Sequence, residues 1–129
     1  MNGPWLQTAV LCERVAGDRE GRLAAVNVLE GVAVDPGARF EVQLIVVIVR
    51  GGHAGPIRLE VAAIDPQGAI AGRLEVEGDP SAVATAHSRI VLPIELVATP
   101  GVWWFEIRFA GAIATRVPLR VDRRAPGPA

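Results

Sequence analysis

Apolar residues recur at every second position along most of this chain, which is the pattern of β-strands that bury one face. The clearest run spans residues 103–109, where core-facing positions alternate with outward ones: Trp103, Phe105, Ile107 and Phe109 against Trp104, Glu106 and Arg108. The pattern predicts strands over about 5–14, 23–34, 39–50, 56–64, 69–77, 88–98, 102–110 and 112–121. Inward positions on other predicted strands should join Trp103 and Phe105 in the core: Leu59, Leu74, Leu92 and Leu119.

Turn-forming sequences separate these runs. Asp35-Pro36-Gly37, Asp65-Pro66-Gln67-Gly68 and Thr99-Pro100-Gly101 each combine a proline, which presets φ, with a glycine, which accepts a positive φ. The spacing leaves no room for the crossover helices of a parallel sheet. The chain is therefore predicted to fold as an all-β, two-sheet antiparallel β-sandwich of about eight strands, with a closed barrel as the alternative. We expect one domain over residues 1–121 and a flexible C-terminal tail over residues 122–129.

One predicted strand is apolar on both faces. Every residue from Leu44 to Val49 is aliphatic, so Ile45, Val47 and Val49 point away from the core that Leu44 enters. Three aliphatic side chains on an outer face favour an interface with a second copy of the chain or with another protein. The alternative is an intramolecular cover, such as the N-terminal residues Trp5–Leu6.

A second candidate surface surrounds an outward tryptophan. The alternation that buries Trp103 directs Trp104 to the opposite face, beside Glu106 and Arg108. Charged residues that alternate with apolar ones usually lie on a solvated sheet face, and we expect this of Glu106. The flat indole of Trp104 is suited to a subunit interface or to stacking on a sugar or other small ligand. Burial under a loop or a terminal strand is the alternative.

The composition excludes several classes of protein. The chain has 129 residues, of which 50% are hydrophobic and 21% are charged, so a disordered chain is excluded and one domain is expected. The formal net charge of −1 provides no field that would attract nucleic acid or an acidic membrane. A single cysteine forms no internal disulfide, and the N-terminus lacks a basic region followed by a hydrophobic stretch. We therefore expect a cytoplasmic protein.

Residues that carry chemistry are sparse. His53 and His87 lie in predicted loops, and no nucleophile-elbow sequence accompanies either of them. Cys12 lies among aliphatic residues in the first predicted strand, where a small core residue is the expected role. His and Cys residues stand too far apart in sequence for the short ligand spacings of a transition-metal site. The sequence therefore predicts no enzyme activity, no metal and no cofactor.

Three short motifs stand near the start of the chain: Thr8-Ala9-Val10-Leu11-Cys12-Glu13, Glu20-Gly21-Arg22-Leu23 and Asn27-Val28-Leu29-Glu30-Gly31-Val32. Together with two closing motifs, they resemble a family of short, uncharacterised bacterial proteins. The closing ones are Pro100-Gly101-Val102-Trp103-Trp104-Phe105-Glu106 and Val117-Pro118-Leu119-Arg120-Val121, which also resemble the last hairpin of many immunoglobulin-like domains. The resemblance implies an immunoglobulin-like β-sandwich and carries over no catalytic residues.

These observations favour a non-catalytic interaction or assembly module that forms a homodimer or binds another protein, without nucleic acid or membrane as a partner. The residues expected to carry that role are Ile45, Val47, Val49, Trp104, Glu106 and Arg108. The alternative is a β-sandwich that binds a carbohydrate or another small ligand through Trp104.

Overall fold

The computed structural model describes residues 4–17, 22–51, 56–78, 87–109 and 111–124. Nine strands run through these residues: β1 (Trp5–Gly17), β2 (Leu23–Val28), β3 (Gly31–Val34), β4 (Arg39–Val49), β5 (Ile57–Ile64), β6 (Ile70–Gly78), β7 (His87–Val97), β8 (Gly101–Phe109) and β9 (Ala112–Arg123). A four-stranded sheet has the order β2-β1-β4-β7, and a five-stranded sheet has the order β3-β9-β8-β5-β6. The predicted two-sheet β-sandwich is confirmed, and the closed barrel is not formed.

The number of strands differs from the prediction because the segment 23–34 is divided between the sheets. β2 pairs with β1 in the four-stranded sheet, whereas β3 pairs in parallel with β9 in the five-stranded one. Asn27 has a φ of 55°, a conformation that asparagine tolerates better than most residues. Its side-chain Nδ2 donates to Oε2 of Glu13 over 2.6 Å. The chain therefore leaves one sheet at Leu29 and Glu30, and the continuous predicted strand was wrong.

The core fills the space between the two sheets. Trp103, Phe105 and Ile107 are buried there, as predicted, and Phe109 packs against them while half-buried. Their neighbours include Leu59, Leu92 and Leu119, each nearly inaccessible to solvent. The prediction for Leu74 was wrong, because this side chain is 41% exposed. β6 is the last strand of its sheet, so Leu74 has a flanking strand on one side only.

A tight turn fixes the start of β8. Gly101 has a φ of 132°, which side-chain-bearing residues rarely adopt. A Cβ atom at this position would lie 2.6 Å from Cβ of Pro66 and 2.8 Å from its Cγ. The turn before β6 and the start of β8 can therefore meet only because residue 101 is glycine.

The C-terminal strand is longer than expected. β9 continues through Arg123, and the backbone N–H of Arg124 donates to the carbonyl of Val34 over 2.9 Å. Residues 122–124 therefore belong to the sheet and not to the predicted tail, whose remaining residues 125–129 lie outside the described ranges.

Candidate functional site

The outer face of the four-stranded sheet carries an apolar surface centred on β4. β1 runs beside the outward residues of β4. Its Val10 lies beside Ile45, its Thr8 beside Val47 and its Trp5 beside Val49. On the other side, β7 places Val91 next to Ile45, but Arg89 next to Val47 and His87 next to Val49. We call this surface the apolar strip, and its residues are Trp5, Val10, Ile45, Val47, Val49 and Val91.

The members of the apolar strip differ in exposure. Ile45 is only 8% exposed, because apolar neighbours on β1 and β7 flank it. Val47 and Val49 are half-buried, and Trp5 is 41% exposed. The exposed area of the strip is therefore concentrated at the Trp5–Val49 end.

The predicted alternative, in which Trp5 and Leu6 cover β4, does not describe the molecule. β1 lies beside β4 within the same sheet, and its register shifts between Leu6 and Thr8. Leu6 packs against the core, whereas Trp5 lies opposite the outward residue Val49. The N-terminal strand thus widens the apolar strip and does not hide it.

Polar side chains border the apolar strip at the other end of β4. Nε2 of Gln43 donates to Oε1 of Glu41 over 2.6 Å. Nη1 of Arg39 donates to Oε1 of Glu95 on the adjacent strand over 3.1 Å. Along β1 and β4 the outer face therefore has an apolar end and a polar end, whereas on β7 Arg89 and His87 flank the apolar end. Apolar residues beside polar ones are the arrangement of an interface centre and its rim.

The outer face of the five-stranded sheet is charged instead. Cross-strand ion pairs connect β5 and β6, with Arg58 within 3.9 Å of Glu75 and 3.5 Å of Glu77, and Arg73 within 3.7 Å of Glu60. These side chains are mostly exposed, so each pair contributes little to stability. The two outer faces of the sandwich are therefore chemically opposite.

Glu106 is the centre of the tightest ion-pair cluster, and the expectation that it lies on a solvated face was wrong. The residue is 6% exposed. Its Oε1 accepts from Nε and Nη2 of Arg108, both at 3.0 Å, and its Oε2 accepts from Nε of Arg116 at 3.2 Å. The cross-strand neighbour on β5 is Ala62, whose small side chain leaves room for the carboxylate to pack. Glu106 is held in place by two arginines and is not free to meet a ligand.

Trp104 lies on this charged face and is 40% exposed. Its cross-strand neighbours are Ile64 on β5 and Pro118 on β9, so the indole joins a small apolar platform. The predicted site residues thus fall on two separate outer faces. Ile45, Val47 and Val49 are brought together with Trp5, whereas Trp104, Glu106 and Arg108 belong to the other sheet.

Cys12 is the small buried residue that the sequence predicted. It is 0% exposed, and its register neighbours are Gln43 on β4 and Val28 on β2. Burial raises the pKa of its thiol, and a hydrogen bond with the backbone of Val26 acts in the opposite direction. The thiol is therefore poorly suited to act as a nucleophile at neutral pH.

Within the described ranges, no group of three or more His, Cys, Asp or Glu residues is arranged to hold a metal ion. The same residues include no helix long and apolar enough to cross a membrane. His53 lies outside the described part of the chain. The prediction that His87 lies in a loop was wrong, because this residue begins β7.

One feature of the sandwich was missed by the sequence reasoning. A crevice of about 230 Å³ opens between β6 and β7, where the two sheets end. Apolar residues of both sheets line it: Val61, Ala63, Leu74, Ile94, Leu96 and Phe105. The period-two pattern assigned these side chains to the inner faces, but it could not show that β6 and β7 leave a gap at this side.

No protein-family model matches the chain, and no curated protein sequence matches it. The chain is similar to a solved immunoglobulin-like protein of Pseudomonas aeruginosa, with a TM-score of 0.43 and 16% sequence identity. The similarity covers 92% of this chain and 96% of that one. Membership of the family of short bacterial proteins, whose resemblance includes Leu11-Cys12-Glu13, stays a prediction.

Proposed function

We propose that the chain is a non-catalytic interaction module that self-associates through the apolar strip. The observation that carries this proposal is the contiguous row of Trp5, Val49 and Val47 on an outer sheet face, with Val10 and Val91 beside it. A surface of about 300 Å² is comparable to the largest apolar patch of a typical monomer, and such patches are often functional. A second copy can cover this surface by laying its own strip on top, as two sheets pack in a sandwich.

The contrast between the outer faces supports this choice of surface. Arg58, Arg73 and Glu106 on the five-stranded sheet already have oppositely charged neighbours within the same chain. The apolar strip has no comparable internal complement among the described residues. Association of two copies through the strip therefore removes apolar area from water without stripping water from the ion pairs.

The size of the strip indicates how tight this association should be. The exposed parts of Trp5, Val47, Val49 and their neighbours amount to about 300 Å² of apolar surface per copy. At about 25 cal/mol per Å², burial contributes roughly 7 kcal/mol from each copy, against an association cost of about 4–15 kcal/mol. Two such surfaces bury about 600 Å² in total, which is less than most stable interfaces bury, so we expect a weak and reversible dimer.

Two variants test the proposal, and each introduces one charge on a different outer face. Val47→Glu places a carboxylate in the strip, where two copies would bring like charges together in an apolar contact. Ile113→Glu is the matched control, because Ile113 is 45% exposed and lies across from Arg108 on the other sheet. Sedimentation velocity should show association weakened about 100-fold by Val47→Glu and unchanged by Ile113→Glu.

Far-UV circular dichroism spectra of both variants show whether they fold. If Val47→Glu unfolds the chain, Trp5→Glu serves in its place, since Trp5 is far more exposed. Equal association of the unmodified chain and a folded strip variant contradicts the proposal. So does a mass of 13.6 kDa for the unmodified chain at about 500 μM, because no dimer would then exist to disrupt.

A second candidate function rests on Trp104. The indole forms an apolar platform with Ile64 and Pro118 and has Glu106 and Arg108 farther along its strand. Such a platform supports the binding of a carbohydrate or another small ligand by stacking. Binding to a glycan array that Trp104→Ala abolishes and Val47→Glu preserves would favour this function, whereas no binding by the unmodified chain rejects it.

A further inference from the structure

We propose that the free edge of β6 pairs with the same edge of a second copy, antiparallel and in a register centred on Leu74. This contact joins the two five-stranded sheets edge to edge, so it uses a surface separate from the apolar strip. The inference stands on the edge strand alone, and either proposal can fail while the other holds.

β6 is the least protected edge of the sandwich. It has nine residues without a proline, and within the described part of the chain it pairs only with β5. The edge strand β7 carries Pro93, which lacks the N–H that an added strand would use, and β2 and β3 are shorter. An uncovered edge presents unpaired backbone groups to a further strand.

The inner side of β6 is open as well. Leu74 is 41% exposed and lines the crevice of about 230 Å³ between β6 and β7. A strand added to β6 lies across the mouth of this crevice. In the proposed register, Leu74 of the second copy comes directly opposite Leu74, and the two leucines cover each other.

The charges on β6 favour this register. With Leu74 at the centre, Arg73 lies opposite Glu75 of the second copy, and Glu75 opposite its Arg73. Directly opposed residues of opposite charge stabilise an antiparallel pair, and like charges destabilise it. Moving the centre to residue 73 puts Arg73 opposite its own copy. Moving it to residue 75 lets Arg73 meet Glu77 but puts Glu75 opposite its own copy. Of these three registers, only the centre on Leu74 makes opposite-charge pairs without a like-charge pair, because Glu77 then faces Ala71.

Both charged side chains are available for this pairing. The side chains of Arg73 and Glu75 are 62% and 70% exposed. Their contacts within the chain are long, 3.7 Å from Arg73 to Glu60 and 3.9 Å from Glu75 to Arg58. Small rotations of exposed side chains are enough to add the intermolecular partners while these contacts stay close.

Together, the edge contact and the strip contact would link more than two copies. Each is a two-fold contact in which the same surface meets itself, and two different two-fold contacts on one chain give a closed tetramer or an open row, depending on how their axes are oriented. Copies would alternate between pairing by sheet face and pairing by sheet edge, which is the behaviour of an assembly module.

The test uses charge reversal and mixing. Arg73→Glu alone puts Glu opposite Glu75, and Glu75→Arg alone puts Arg opposite Arg73, so neither variant should pair with itself. A one-to-one mixture of the two variants restores an opposite charge at both contacts. The readout is amide hydrogen exchange of residues 71–77, measured by NMR on the full chain from about 10 μM to about 1 mM.

This readout isolates the edge, because association through the apolar strip leaves the edge of β6 uncovered. In the unmodified chain, exchange at alternate β6 amides should slow by about ten-fold or more as concentration rises. Each single variant should lose that slowing, and the mixture should regain it. Exchange that is independent of concentration in the unmodified chain overturns the proposal. A mixture that behaves like its separate components overturns the register.

Discussion

Trp5 lies directly opposite Val49 in the antiparallel register of β1 and β4, so an exposed indole extends an apolar row that already runs along β4. The alternation along β4 placed Val49 on the outer side, but only the pairing of β1 brings Trp5 to it. The result is one apolar surface made by two residues that are 44 positions apart in sequence. That surface is the basis of the proposed self-association.

Truncation of one buried aromatic ring should strongly destabilise the fold. Phe105 is fully buried between the sheets, so Phe105→Ala should lower the free energy of unfolding by about 3–5 kcal/mol through lost burial and a residual cavity. Leu74→Ala is the matched control and should cost about 1 kcal/mol or less, because Leu74 is exposed. Urea denaturation at low protein concentration measures both values. Equal losses would show that the inner face of β8 has been assigned incorrectly.

The ion-pair cluster predicts that two carboxylates on the same sheet face differ in importance. Glu106→Gln leaves Arg108 and Arg116 around a neutral amide. It should lower the free energy of unfolding by about 1–3 kcal/mol, because hydrogen bonds to a buried charged group are lost. Glu75→Gln removes a mostly exposed carboxylate and should cost less than about 0.5 kcal/mol. Thermal denaturation at low protein concentration compares them. A cost for Glu106→Gln no larger than that for Glu75→Gln contradicts a structural role for the cluster.

Cys12 predicts a loss of stability at alkaline pH. Burial raises the pKa of its thiol in the folded chain, so the unfolded chain releases the proton first as pH rises. The free energy of unfolding contributed by the neutral thiol is therefore intact below about pH 8.5, the ordinary cysteine pKa, and falls above it. Urea titrations between about pH 7 and 10 should show this fall, and Cys12→Ala should reduce it. An unchanged pH profile in the alanine variant would assign the loss to other groups.

The turn at Gly101 predicts a backbone effect. Gly101→Ala places a methyl group 2.6 Å from Pro66 in a conformation that L-residues rarely adopt, and should cost about 2 kcal/mol or more. At Gly72, an added Cβ meets nothing within 4 Å, so Gly72→Ala is the matched control and should change stability by about 1 kcal/mol or less. Chemical denaturation separates them, and a neutral Gly101→Ala would mean that the turn can relax.

The sequence predicted the strands and most of the core, because period-two alternation is a local signal. Phe105 and Leu119 needed no knowledge of their partners to be assigned inward. Other features depend on which strands become neighbours, and that information is spread over distant parts of the chain. The exposure of Leu74 follows from the edge position of β6, and the burial of Glu106 follows from Arg116 on β9 and Ala62 on β5. Local alternation of apolar and polar residues shows neither the edge position of β6 nor the neighbours of Glu106.

The sequence likewise predicted part of the candidate site, and the rest depends on strand pairing. Ile45, Val47 and Val49 were identified because β4 is aliphatic on both faces, and they do share one outer surface. Trp104 was grouped with them as a possible contact residue, although it lies on the other sheet. Sheet membership is set by long-range pairing, so the sequence could name both surfaces without relating them.

Contacts between two copies at the apolar strip can be observed by isotope-filtered NMR. A one-to-one mixture of labelled and unlabelled chain, at a concentration where sedimentation shows dimer, reports only contacts between copies. If the copies associate through the strip, the Trp5 indole of one copy will show intermolecular contacts with the methyl groups of Val47 and Val49 of the other. A dimer whose intermolecular contacts involve none of these residues contradicts self-association through the strip.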